Sequence, residues 1–337
     1  MTKLLLAALC LYCLSAPAWP QTPDTPAAVD DGAPEAVSEQ ILVTGQKPGP
    51  GLWKVSKGEH VLWVFGTYAP LPKKMEWRSH EVDTILSQSQ EYIEQPSTTL
   101  DVSYWKLATL IPQMFGLKKN PDGAQLRDLV PADVYARWLV LKEKYIGEDE
   151  GVEKERPIFA AEELFSKALK HSGLTNDGEV ADTIGKIVKK NKIKRTSPGI
   201  KLPVKDPSRM MKNFKTGTLD DIACFSKTLD RLETDLEAMR VRANAWAKGD
   251  LAVIEKLGYP DREGACKAAI TEASFIQNEP GFKDSRPRLR EAWLDAVEKA
   301  LAANKSTFAV LKLNELLDPK GLLSVLQARG YVVEKPE

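Results

Sequence analysis

The sequence predicts an α/β (α+β-like) fold, with strands near the two ends of the chain and a large helical region between them. Three observations carry this expectation. Residues 52–67 alternate apolar and polar side chains around the turn Lys57-Gly58-Glu59, the pattern of a β-hairpin. Residues 286–334 read as helix, strand, helix and strand. In much of the sequence between these ends, apolar residues recur at spacings of three and four, the helical period.

Taken in order, the hairpin consists of Leu52-Trp53-Lys54-Val55-Ser56 and the run from Val61 to Thr67. Residues 76–89 place Trp77, Val82, Ile85 and Leu86 on one helical stripe, and Glu91-Tyr92-Ile93-Glu94 follows as a short strand. Strand, helix, strand is the order of a parallel pair joined by a crossover helix. Residues 104–115 read as a helix in spite of Pro112. Residues 131–145 form a stronger one, with Val134, Trp138 and Leu141 on one face. The acidic stretch 147–155 is a loop, and the helix over 157–171 opens with proline at its favoured first position. Residues 219–246 carry a nearly unbroken helical pattern, with Leu229, Leu232, Leu236 and Met239 along one face. Gly249 and Asp250 break it ahead of a short helix over 251–257. Its heptads are too few for a coiled coil, so an amphipathic helix packed on the domain is expected. At the C-terminal end, residues 286–303 align Leu289, Trp293, Val297 and Leu301. A strand over 307–311, a helix ending at Gly330 and a strand over 331–334 complete the chain.

The first residues read as an export signal. Met1-Thr2-Lys3 is a basic start, residues 4–14 are apolar, and Ala16-Pro17-Ala18 offers a small-residue cleavage site, so a signal peptide is expected over 1–18. The apolar run is shorter than the roughly 20 residues of a spanning helix. Leu9 before Cys10 and Tyr12 before Cys13 do not fit lipid attachment, which needs a small residue there. Residues 19–50 contain Pro20, Pro23, Pro26, Pro34, Pro48 and Pro50 and read as a disordered spacer. Within it, Ile41-Leu42-Val43 is able to pair weakly with an edge strand. Residues 51–337 are then one domain with a helical insert over about 100–305. The expected location is periplasmic or secreted, in a Gram-negative-type bacterium, with no transmembrane anchor once the signal is cleaved.

Charge narrows the partners. Lys and Arg number 47 and so do Asp and Glu, so net charge gives no argument for a nucleic-acid partner. Residues 186–215 depart from this balance, with eleven basic residues against Asp206. They read either as a binding face for phosphate, acidic polysaccharide or a membrane surface, or as a solvated face. Aromatic residues are absent from this stretch before Phe214, which argues against nucleic acid. Cys10 and Cys13 fall in the signal, leaving Cys224 and Cys266. An oxidising compartment favours a disulfide between them, worth about 4 kcal/mol in the loop-entropy model. Two buried free thiols are the alternative.

Gly66-Thr67-Tyr68-Ala69 at the end of the hairpin resembles the opening of the TraB/GumN family, bacterial relatives of the Tiki-type metalloproteases with an erythromycin-esterase/ChaN-like fold. The strand over 307–311, Gly321-Leu322-Leu323 and Gly330-Tyr331-Val332-Val333 are similar to its close. The resemblance implies a central mixed sheet formed from the N- and C-terminal strands. It also implies two Gly-x-x-His elements whose histidines bind a divalent metal at strand ends, with a glutamate nearby. The first histidine position is Ala69. The second, anchored on Gly321-Leu322-Leu323, is Glu315, preceded by Asn314, and Lys312 takes the place of the motif's first glycine. The glutamate matches Glu94. His60, His80 and His171 lie off both motifs, and no His-Glu-x-x-His is present.

With Gly66, Thr67, Ala69, Asn314 and Glu315 as vacated family positions, the resemblance implies that no cofactor or divalent metal is retained, and that the chain is a pseudoenzyme. Its role is then binding or envelope-associated, with a protein, peptide or envelope polysaccharide as partner. The rival reading is a hydrolase or peptidase in which Glu94 and Glu315 act as acid and base or hold a hard cation. Against that reading, the two are ordinary surface or salt-bridged residues. No Gly-x-Ser-x-Gly, catalytic-type cysteine or phosphate loop offers another chemistry. Tryptophans such as Trp53, Trp63, Trp77 and Trp246 either line a sugar-binding surface or, as is commoner, pack the core.

Overall fold

A computed structural model describes residues 49–73, 75–258, 262–279 and 281–336. The expected signal peptide, spacer residues 19–48 and the Ile41-Leu42-Val43 segment lie outside the described residues.

β1 (Leu52–Lys57) and β2 (His60–Thr67) form the expected hairpin, with Gly58 at its turn taking a φ of 62° that favours glycine. β3 (Leu71–Pro72) follows, then α1 (His80–Gln88), which is four residues shorter at its start than the apolar stripe suggests. β4 (Glu91–Ile93) is in its expected place, and β5 (Ser97–Asp101) is an exposed strand that the pattern does not reveal. α2 (Tyr104–Leu110) gives way to a tighter 3₁₀ turn over Ile111–Met114, where Pro112 sits in the first turn and its missing N–H costs nothing. α3 (Leu126–Leu129), α4 (Ala132–Tyr145) and α5 (Pro157–His171) build a helical lobe. Next come β6 (Leu174–Thr175), α6 (Glu179–Lys190), β7 (Lys194–Thr196), β8 (Gly199–Pro203) and α7 (Pro207–Thr216). The basic stretch is therefore a helix end, two strands and a helix.

The long helical pattern divides at Asp235 into α8 (Ile222–Thr234) and α9 (Leu236–Lys248). Gly249 ends α9 in the left-handed region, at φ 74°, and the Asp250 carboxylate accepts the Val253 N–H to cap α10 (Leu251–Leu257). α11 (Arg262–Thr271), α12 (Ser274–Gln277) and α13 (Ser285–Ala303) lead into β9 (Ser306–Lys312). A short helix not foreseen, α14 (Leu313–Leu317), follows β9 directly. α15 (Leu322–Ala328) and β10 (Val332–Glu334) close the chain.

The main sheet has the order β10-β1-β2-β9-β4-β7. β1 pairs antiparallel with β10 and β2, while β2, β9, β4 and β7 run parallel. The sheet is thus mixed and joins the two ends of the chain, as expected. One strand, β7, comes from the middle region instead. β9 lies between β2 and β4, so three neighbouring strands turn their carboxyl ends to the same edge. The main core packs Trp53, Phe65, Leu86, Trp246, Trp293 and Phe308 between this sheet and helices that include α1, α6, α9 and α13. A second core, with Trp138, Leu164, Phe225 and Leu229 fully buried, holds α4, α5 and α8 together. Trp53 and Trp246 are buried and Trp63 and Trp77 half-buried, so these four rings pack the core.

Glu91, at the start of β4, secures the other edge of the sheet. Its buried carboxylate accepts from Lys194 Nζ at 3.0 Å, from Asn304 Nδ2 at 2.9 Å and from the Thr196 hydroxyl, which ties β4 to β7 and to the entry of β9. Burial raises the pKa of this carboxyl, but its three donors outweigh that effect and hold it below the ordinary value. A lowered folded pKa means stabilisation that is present above the ordinary carboxyl pKa and is lost as pH falls through the folded one. Glu91→Gln is therefore expected to cost about 1–3 kcal/mol at neutral pH. In urea melts the gap to the native protein should narrow as pH drops below about 4. A pH-independent gap would rule out this account.

Candidate functional site

β2, β9 and β4 end side by side, and a cavity of about 320 Å³ opens beyond their carboxyl ends. Thr67, Tyr68 and Ala69 from the end of β2, Lys312, Leu313 and Asn314 from the end of β9, and Gln95 beyond β4 form one side. Asn176, Gly178, Val180 and Ala181, at the start of α6, form another, and Arg231 of α8 and Glu263 of α11 complete the wall. Open α/β sheets place ligands at this position because several strand ends deliver side chains to one spot.

The strand ends are tied to one another. Gln95 Nε2 donates to Thr67 Oγ1 at 3.0 Å, and that hydroxyl donates to the Leu311 carbonyl at 3.2 Å. The Gly66 carbonyl accepts Trp246 Nε1–H at 2.7 Å. Gly66 has a packing reason to lack a side chain: a Cβ there would lie 2.9 Å from both Leu313 Cδ1 and Leu316 Cδ1. Its place in the motif lets α14 sit directly against β2.

Behind the cavity lies a cluster of buried charge. Arg231, Asp235 and Arg242 are 7%, 5% and 0% exposed. The Asp235 carboxylate accepts from Arg242 and, at 3.4 Å, from Arg231 Nε. Arg242 Nε also donates to the Tyr68 hydroxyl at 3.3 Å, and burial raises the pKa of that phenol. Arg262 stacks 4.0 Å above the Phe165 ring while donating to Thr228 and Glu162, and Arg231 lies over the same ring at 5.4 Å. Burial pulls the Arg231 pKa below its ordinary value, opposed by the charge of Asp235. Lys312 pairs with Glu263 at 2.8 Å, and that contact outweighs burial to lower the Glu263 pKa.

The sequence matches the model of the TraB/PrgY/gumN family over residues 51–335. The chain belongs to that family. Neither curated proteins nor solved structures gave a match. Within this TraB/PrgY/gumN member, the positions singled out from sequence separate. Gly66 sits at the end of β2, and Thr67, Ala69 and Asn314 line the cavity, so both motif segments reach it. Glu94 and Glu315 do not line it. Glu94 is held by Arg195 and Ser197, and these donors outweigh burial to lower its pKa. Its charge also adds to burial in pushing Tyr92 up to about 12. Glu315 is exposed on α14. Cys224 and Cys266 lie within disulfide distance and link α8 to α11. His60 Nδ1 is 2.7 Å from the Asn304 carbonyl at the opposite end of β2, His80 opens α1, and His171 meets Tyr145 edge to face.

The donor set of the cavity does not suit the divalent metal that the family resemblance implies. Ala69 offers no ligand, Asn314 is neutral, Glu263 is engaged by Lys312, and Arg231 and Lys312 place positive charge in the same wall. No group of three His, Cys, Asp or Glu side chains with metal-binding geometry occurs among the described residues. Arg231, Asp235 and Arg242 were missed by reading the sequence. Their spacing of four and seven residues would put them on one face of the unbroken helix that the pattern suggests, which is the signal that would have grouped them.

Proposed function

We propose that this TraB/PrgY/gumN member is an exported, metal-free binding protein, and that its strand-end cavity takes a small organic carboxylate with an apolar body. The observation that carries this reading is Arg231. Its side chain is more than nine-tenths buried and lines the cavity, and its only hydrogen bond among the described residues is from Nε, so both Nη groups keep their donors. A planar pair of N–H donors suits a carboxylate. The start of α6 adds to this: Gly178 caps the helix with no side-chain hydrogen bond, and the cavity reaches Val180 and Ala181 in its first turn. Leu71, Val180 and Leu313 supply apolar wall for the rest of such a ligand. Asp177 at the rim is exposed and opposes an anion only weakly through water.

Calorimetric titration with isovalerate, using isovaleramide as the uncharged control, tests the reading. Isovalerate is expected to bind and the amide not to bind. Arg231→Gln should weaken binding by about tenfold or more, the loss of one charge-assisted contact. Ala181→Phe, at an exposed position on the cavity mouth, should do the same without touching the buried cluster. Equal binding of acid and amide, or no binding of either, defeats the carboxylate assignment. Stoichiometric zinc or manganese in protein purified without a metal-affinity tag defeats the metal-free assignment.

A further inference from the structure

The strongest surface feature outside the cavity is a surface arm built from β5, α2, the 3₁₀ turn over Ile111–Met114, β8 and α7, with β8 packed on α13 and α7 on α12. β5 and β8 form their own two-stranded parallel sheet, pairing from Ser97 with Gly199 to Asp101 with Pro203. α2 and the 3₁₀ turn pack on α7. Gln113 Nε2 donates to Ser208 Oγ at 3.2 Å, and Lys215 Nζ donates to the Phe115 carbonyl at 2.6 Å. Arg156 anchors the arm to the body by donating to the carbonyls of Phe214, Lys215 and Gly217. Neither the 3₁₀ turn nor α7 has a buried residue.

Two properties coincide on this arm. Trp105 and Phe115 are each 80% exposed, and Ile111, Met114 and Leu100 are 61%, 56% and 52% exposed. Exposed apolar side chains grouped in this way mark a contact surface. The same segments, residues 97–116 and 199–216, carry six Lys and Arg against Asp101 and Asp206 in a chain of zero formal charge, and of the six Arg209 pairs with Glu279 at 3.5 Å. Asp206 is engaged in capping α7 through the Arg209 N–H. Five of the eleven basic residues in 186–215 therefore lie on the same arm as exposed aromatic and aliphatic side chains.

We propose that this arm docks on an anionic lipid bilayer, with Trp105, Phe115, Ile111 and Met114 entering the headgroup boundary and the surrounding lysines facing lipid phosphates. A bilayer supplies an apolar interior and a negative surface together, which is the combination the arm presents. Two copies of the arm would bring like charges together, which disfavours self-association through it. A soluble acidic polysaccharide would satisfy the lysines and leave Ile111 and Met114 without a partner. The proposal is separate from the cavity and does not depend on its ligand.

The test is co-sedimentation with vesicles of pure phosphatidylcholine and with vesicles containing about 30% phosphatidylglycerol. The protein used begins at Trp19, so that the apolar run at residues 4–14 does not itself bind lipid. Every described element lies beyond residue 48 and is retained. Binding to the anionic vesicles is expected to exceed binding to neutral ones by about tenfold and to weaken steeply from about 0.1 to 0.5 M salt. Trp105→Ser with Phe115→Ser should reduce it about fivefold or more, as should Lys205→Glu with Lys212→Glu. Unchanged thermal melts for both pairs would show that the fold is intact. Absent binding, or equal binding to neutral vesicles, overturns the proposal. So does a dimer in lipid-free solution that the aromatic pair of substitutions dissolves, which would assign the arm to a second copy. Binding to a polyuronate with none to vesicles, insensitive to the aromatic substitutions, overturns it in favour of polysaccharide.

Discussion

Asp235→Ala is expected to destabilise the protein by about 3–5 kcal/mol, the usual cost of stranding buried cations. Asp235 accepts from both Arg231 and Arg242, and Arg242 is fully buried. Deleting the carboxylate removes the charge that faces both guanidinium groups at the α8–α9 junction, and it takes from buried Arg231 the acceptor of its Nε–H. Arg242 also donates to the Tyr68 hydroxyl and the Gly258 carbonyl, at 3.3 and 3.2 Å. Denaturant melts read the loss directly. A loss below about 1 kcal/mol would mean that water already reaches this cluster and screens it. Asp235→Ala combined with Arg231→Met should recover part of the loss, because the burden lies in the buried cation left beside the deletion and not in the missing side chain. The same single substitution should also weaken ligand binding in the cavity, since Asp235 fixes the Nε edge of Arg231.

Reducing the Cys224–Cys266 disulfide is expected to cost about 4 kcal/mol, from the chain entropy returned to the unfolded state. The two cysteines lie 42 residues apart in sequence, and the bond fastens α11 to α8. α11 carries Arg262 and Glu263, so reduction should loosen the cavity wall as well as lower the denaturation midpoint. Denaturant melts with and without reductant, alongside a Cys224→Ala, Cys266→Ala double variant, measure the effect. An identical midpoint in all three would show that the crosslink contributes nothing beyond the packing of the helices.

How much of this was legible follows from which interactions are local. The β1–β2 hairpin and the β9-to-β10 ending were readable because alternation and glycine breaks are written in adjacent residues. Gly66 was legible as part of a motif, yet its physical cause, the approach of Leu313 and Leu316, comes from nearly 250 residues away. The break at Asp235 was not visible, because the apolar helical spacing of Leu229, Leu232, Leu236 and Met239 runs straight through it and the two arginines that it serves lie on different helices. Lys194-Arg195-Thr196 did not announce a strand, since its charged side chains project from a sheet edge and find Glu91 and Glu94 there. Glu94, read as the last residue of its strand, lies one residue past the end of β4. The sequence alone did not show that Arg195 and Ser197 occupy its carboxylate, so a catalytic role looked open to it. Ala69 and Asn314, singled out by the motifs as vacated positions, line the cavity, whereas Arg231 carried no local signal because only tertiary packing brings it in.

The insertion of β9 between β2 and β4 has a consequence for the order in which the molecule can assemble. β2 pairs with residues 306–312, so one whole side of that central strand stays open until nearly all of the chain is available. The contacts of the helical lobe, from α4 through α9, span far shorter distances along the chain and close with less loss of entropy. A chain cut before Ser306 would keep most of the residues that line the cavity and still have no cavity, since β9 and the motif segment that follows it would be absent. The site thus depends on two regions of sequence about 250 residues apart, which only the pairing of β2 with β9 brings together.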